Sequence, residues 1–127
     1  MQRQPMTEAS IATMVDNFYA HVRNDVLLAP IFEQHLAGKW QTHMPRMVAF
    51  WTKILLGSGQ FDGNVFGKHM ALEGVTPEHF VHWLGLFRLT VTALFEPEEA
   101  AKAVVVAERI AGSLRYGFFG DDGDIGQ

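Results

Sequence analysis

Four side chains could carry chemistry in this sequence: Tyr19 in "FYAHVRND", His43 in "WQTHMPRMVAFW", His69 in "FGKHMAL" and Trp83 in "TPEHFVHWLGLF". Each sets a hydrogen-bonding or metal-ligating group among apolar neighbours. Tyr19 adjoins Phe18, His43 precedes Met44 and Met47, His69 is flanked by Phe66, Met70 and Leu72, and Trp83 stands amid an apolar helical face. The chain has no cysteine, which excludes disulfides, thiol catalysis and cysteine-ligated zinc or iron–sulfur clusters. Any metal must therefore use His, Met, Tyr or carboxylate. A buried tyrosine hydroxyl or indole N–H needs an acceptor, and a bound ligand supplies one where no backbone carbonyl does. His21, His35, His79 and His82 read as surface histidines, although His79 and His82 are three apart and could hold a metal weakly.

The elements that must position these groups are helical. Ile11, Met14, Val15, Phe18 and Val22 follow the three-and-four repeat of an amphipathic helix, placed near residues 8 to 24. Pro30 limits the next element to a turn or short helix holding Ile31 and Phe32, because the residue before a proline disfavours helical geometry. A second long helix covers "WQTHMPRMVAFWTKILL", with Trp40, Met44, Met47, Val48, Trp51 and Leu55 on one side. Pro45 has no amide hydrogen, so either Thr42 caps that helix and Pro45 falls in its first turn, or the helix kinks. After the glycine-rich "LLGSGQFDGN" comes the short piece with His69, which is too brief to bury much apolar surface by itself.

"TPEHF" then starts a third long helix, with Thr76 as N-cap, Pro77 at its first position and Glu78 near the positive dipole end. It sets Phe80, Trp83, Leu84, Phe87, Val91 and Leu94 in register. A fourth starts after Pro97 and runs through "AAKAVVVAERIAGSLRYGFF". No strand alternation or repeat interrupts the pattern, so the fold class is all-α. Residues 1–119 read as one domain and 120–127, acidic and glycine-rich, as a frayed tail.

Composition narrows the function. At 127 residues and 48% apolar content the chain can build one buried core. Its net charge is −4 and its ten Lys and Arg residues are scattered, so it lacks the basic stripe that nucleic acid requires. The N-terminal "MQRQPMTEAS" has no apolar signal core, and no stretch approaches the roughly 18 apolar residues of a spanning helix. The expectation is a cytoplasmic protein with neither nucleic-acid nor membrane partners. Ten Phe, three Trp and two Tyr, several beside His or Tyr, point to a flat apolar ligand. Haem with a diatomic ligand would satisfy the polar groups among them.

The segments "FYAHVRND", "APIF", "WQTHMPRMVAFW", "LLGSGQFDGN", "GKHMAL" and "TPEHFVHWLGLF" resemble, in order and spacing, those of the truncated haemoglobins, most closely group III. The resemblance runs from about Ile11 to Phe119. It implies a shortened globin, two helices packed over two, around a b-type haem whose iron is ligated by His69. The iron bond then supplies the stabilisation that the short His69 segment lacks. By the same resemblance Tyr19 is the distal tyrosine, Trp83 an indole donor and His43 the distal histidine at the pocket mouth. Phe32 stacks against the porphyrin, Met47 takes an apolar distal position, and Phe50 joins the cofactor wall. Arg46 and Lys68 are candidate partners for the haem propionates, the alternative for each being a solvated charge.

The function that follows is binding of dioxygen, nitric oxide or carbon monoxide, with Tyr19 and Trp83 donating to a ligand that gathers negative charge. Two such bonds slow release, which favours reaction with nitric oxide or peroxide over carriage, and a reductase would be needed as partner. Two other classes remain open at this level: a haem-based gas sensor acting through a partner chain, and a helical interaction module without haem in which the aromatics are only core.

Overall fold

The computed structural model describes residues 3–57 and 73–120. Five helices occur among them: α1, Glu8–Asn24; α2, Leu28–Leu36; α3, Trp40–Leu56; α4, Pro77–Leu94; and α5, Pro97–Phe119. The only β-type pairing among the described residues is an isolated bridge between Gln4 and Phe95, where the Gln4 N–H donates to the Leu94 carbonyl at 2.8 Å. His69, Lys68 and the tail from residue 121 lie outside the described residues.

Local chemistry explains where the helices begin. Thr7 caps α1: its Oγ1 accepts from the Ser10 N–H at 3.1 Å, while Ser10 Oγ accepts from the Thr7 N–H at 2.8 Å. Two orphan donors of the first turn are satisfied in this way. Helix α2 starts at Leu28, before Pro30, and runs for nine residues. The proline is third in the helix, where an amide has no intrahelical acceptor to lose, so it does not stop the element. The capping is done from outside the helix by Asp25, whose Oδ2 accepts from the Leu27 and Leu28 N–H groups at 3.0 and 2.9 Å.

Helix α3 covers the whole of "WQTHMPRMVAFWTKILL", and of the two options that Pro45 raised it rules out Thr42 as the cap. It begins at Trp40 with Lys39 at the cap, and the Lys39 carbonyl accepts from the Thr42 and His43 amides at 3.1 and 3.0 Å. Thr42 is thus inside the helix, and Pro45 lies beyond the first turn. The carbonyl that Pro45 leaves unbonded is that of Gln41; both residues are exposed, so water can take it. Gly57 ends α3 in the left-handed conformation, φ 70°, which costs glycine nothing.

The core joins the helices two over two. Helix α1 packs on α3 and α4, α4 packs along α5, and α2 bridges α1 and α4. Ile11, Met14, Val15, Phe18 and Val22 of α1 are almost completely buried, and each such side chain stabilises by about 1.5–3 kcal/mol. Phe18 is the centre. Its ring meets Tyr19, Trp83 and Phe87 edge to face at 5.1, 5.6 and 5.6 Å, and Phe87 stacks on Trp51 of α3 at 4.9 Å. One aromatic column therefore fixes α1, α3 and α4 to one another and sets the directions of Tyr19 and Trp83.

Candidate functional site

Tyr19 follows Phe18 on α1, so its ring leaves the central column and points toward α2 and α3. There it meets Phe32 at 6.0 Å, Trp40 at 5.8 Å and His43 at 5.2 Å, all edge to face. Burial pushes the Tyr19 phenol above its ordinary value, so the hydroxyl keeps its proton at any physiological pH. A neutral phenol in apolar surroundings can donate to an anion or to a polarised ligand, and it has no charge to repel either one.

Beside this cluster an apolar cleft opens between α2, α4 and α5. Leu28, Ile31, Phe32, Phe80, Trp83 and Phe118 are among its walls. Trp83 is stacked on Phe87, 5.8 Å between centroids and 10° between planes, which holds the indole at the cleft. Val75 enters the cleft at the end where the described chain resumes, and Gly74 before it has φ 82°, with Ile31 Cδ1 3.6 Å from where a Cβ would sit. A side chain at 74 would therefore suffer from its backbone conformation more than from crowding. The walls enclose about 50 Å³. A flat ligand fits their chemistry, with no charged side chain on them and aromatic faces on several sides. A small-molecule site occupies roughly 300–1,000 Å³, so such a ligand must part the half-buried members Phe32, Val75, Trp83 and Phe118.

The other sequence-selected residues are distributed as follows. Phe32 joins both groups, lying on the cleft and edge-on to Tyr19. Met47 and Phe50 are half-buried against the core, Phe50 with its ring 5.3 Å from Trp51. Arg46 is exposed on α3. The structure brings Tyr19, His43 and Phe32 together and sets Trp83 against Phe18, the neighbour of Tyr19.

Three histidines depart from the surface role expected of them, while His21 is exposed as expected. His35 is half-buried on α2, with its Nε2 out of contact with solvent. His79 is only 9% exposed and lines the cleft. It closes the capping box of α4: the Thr76 N–H donates to its Nδ1 at 2.9 Å, and the Thr76 hydroxyl is 2.9 Å from the same atom. A backbone amide can only donate, so Nδ1 is the acceptor and the ring proton is on Nε2. The "TPEH" motif carried this signal, since the third residue after the cap usually reaches back; Glu or Gln is the common choice there. His82 faces Asp25, with Nδ1 3.0 Å from each carboxylate oxygen. His79 and His82 thus have separate partners, and no group of three metal-ligating side chains occurs among the described residues.

Asp25 joins the α1–α2 corner to α4. Burial pushes its carboxyl up, but the Leu28 amide, the His82 ring and the Leu27 amide together hold it below the usual carboxylate range. The corner carrying Leu28, Ile31 and Phe32 is thereby tied to the helix carrying Trp83.

Sequence reasoning also missed a group on the outer side of Tyr19. Arg23 Nε donates to Glu33 Oε2 at 3.1 Å, Trp40 Nε1 donates to Glu33 Oε1 at 3.3 Å, and the Arg23 guanidinium lies 4.3 Å over the Trp40 ring. Arg23 is four residues after Tyr19, and Trp40 three before His43, so helical spacing alone brings each toward that neighbour.

A two-over-two set of helices with an apolar, aromatic-walled cleft, Trp83 on its wall and the Tyr19–His43 pair reached through Phe32, is the architecture of a truncated globin. The chain is 31% identical over 114 residues to a group 3 truncated hemoglobin of Campylobacter jejuni, covering 87% of this chain and 90% of that protein. The crystal structure of the group III truncated hemoglobin from Campylobacter jejuni superposes with a TM-score of 0.88 at 28% identity, covering 94% of this chain and 97% of that one. No family model matches the sequence. The chain belongs to the group 3 truncated haemoglobin family. No described helix is long and apolar enough to cross a membrane.

Proposed function

We propose that this globin holds a b-type haem in the cleft and binds dioxygen, nitric oxide and carbon monoxide there, for oxygen, nitric oxide or peroxide chemistry more than for carriage. The haem supplies a ferrous iron that takes a diatomic ligand. His69 is the protein's ligand to that iron, and Arg46 and Lys68 are cations for its propionates. Phe32, Met47 and Phe50 exclude water around it, which strengthens every polar contact made inside.

The observation that carries the reading is the buried, proton-bearing Tyr19 next to His43 and one ring removed from Trp83. Tyr19 O–H and Trp83 N–H donate to a ligand that draws negative charge, while His43 governs access at the mouth. A hydrogen bond to a charged group contributes about 1.5–3 kcal/mol, so two of them slow ligand release by several powers of ten. A slow-releasing site serves a reaction better than a carrier. A reductase partner would keep the site in its working oxidation state.

An absorption spectrum of protein expressed with sufficient haem tests the reading. A Soret band that shifts on reduction and again under carbon monoxide is expected; its absence would leave the aromatic groups as plain core.

A further inference from the structure

Arg23, Glu33 and Trp40 lie on α1, α2 and α3, and their side chains close on one another directly outside the Tyr19–His43 pair. Glu33 uses one carboxylate oxygen for Arg23 and the other for Trp40, while Arg23 covers the Trp40 ring. Trp40 in turn presents its ring edge to Tyr19 at 5.8 Å and to His43 at 5.9 Å. We propose that Glu33 and Arg23 form a latch that holds Trp40 as the gate on ligand access to Tyr19 and His43. This rests on the reading of those two residues as the ligand side of the site.

The latch is built to be weak. Its ion pair is about half exposed, 49% for Arg23 and 43% for Glu33, and an exposed pair contributes little because water and salt screen it. A core salt bridge would lock the indole; this one can open under thermal motion. Trp40 is only half-buried and so has room to swing. Glu33 and Arg23 act through Trp40 and are positioning residues, with no contact to a ligand required of them.

A gate has a kinetic signature that neither a donor nor a packing residue has. Opening it lowers the barrier in both directions, so association and dissociation rise by the same factor and affinity stays fixed. Removing a donor moves dissociation alone. Glu33→Ala should raise carbon monoxide association and dissociation together, by roughly two- to fivefold given the strength of exposed pairs. Glu33→Gln keeps an acceptor for Trp40 and loses only the charge, so it should fall between Glu33→Ala and the parent protein.

The experiment is flash photolysis of the carbon monoxide form, with ligand replacement for dissociation, on the haem-loaded parent and both variants at low and high salt. Raising salt from about 10 mM to about 1 M shortens the screening length from ~30 to ~3 Å, so the parent should speed up toward the Glu33→Ala rates while the variants stay flat. A normal Soret band with salt-independent rates, or with dissociation alone moved by Glu33→Ala, overturns the latch and leaves the haem reading standing. No Soret band in the parent overturns both.

Discussion

The rings of Tyr19 and His43 meet edge to face, 5.2 Å between centroids and 87° between planes, with Trp40 closing the third side. A phenol so placed has its ring direction fixed by packing on two helices. Tyr19→Phe keeps that packing and removes one hydroxyl, so stability should change little. Oxygen dissociation should accelerate by roughly 10–100-fold, the equivalent of one charge-assisted hydrogen bond. His43→Ala should instead raise association and dissociation by the same factor, as loss of a group that governs access does. Stopped-flow oxygen displacement with flash photolysis for association separates the roles in the two variants, and acceleration of dissociation alone in His43→Ala would make His43 a principal donor.

The iron ligand is tested by haem retention. His69→Ala should abolish stable haem binding, read as loss of the Soret band after gel filtration. His79→Ala is expected to act differently, because His79 lines the cleft and caps α4. It should lower thermal stability by about 0.5–2 kcal/mol, the usual cost of a lost cap, and loosen haem without abolishing its binding. His79→Gln restores a capping-box residue and should recover most of the stability.

Asp25 gives a pH signature. Its carboxyl is held below its ordinary value in the folded chain, so its contribution is present above the unfolded carboxylate value of about 3.9 and is lost as pH falls through the folded value. Asp25→Asn keeps an oxygen for the Leu27 and Leu28 amides and loses the negative charge beside them and His82, so it should destabilise the protein by about 1 kcal/mol at neutral pH. The gap between parent and variant should narrow as urea titrations are repeated below about pH 4. A gap that stays constant in acid would show that the charge contributes nothing.

The helices were largely legible because each carries its own punctuation. The apolar repeat of α1, the "TPEH" start of α4 and the Pro97 start of α5 are local signals, and the structure has these helices where the signals put them. The span of α3 was legible too, from its apolar side, but its cap was not: Pro45 suggests a start at Thr42, and packing of Trp40 and Met44 against the core keeps the helix one turn longer. Tyr19, His43 and Phe32 were legible as a group only through the family resemblance, since three helices contribute to it. The Arg23–Glu33–Trp40 and Asp25–His82 contacts were not legible at all. They join charges on different elements, and a scattered charge in a sequence reads as solvated until the fold supplies its partner.

Trp83 offers the sharpest test of the site as a unit. Phe18 stands between the two proposed donors, edge to face with Tyr19 at 5.1 Å and with Trp83 at 5.6 Å, so both are oriented by one buried ring. Trp83→Phe removes the indole N–H and preserves stacking on Phe87. Oxygen dissociation should accelerate in this variant as in Tyr19→Phe. Carbon monoxide gathers far less negative charge on binding, so its dissociation should change much less, and that contrast separates an electrostatic role from a steric one. The double variant should be non-additive, because on the proposed reading both groups serve one ligand. Stopped-flow displacement of oxygen and of carbon monoxide from the parent, both single variants and the double variant provides the full cycle. If neither single variant speeds oxygen release beyond its effect on carbon monoxide, Tyr19 and Trp83 are core aromatics, and the case for oxygen chemistry at this site loses its main support.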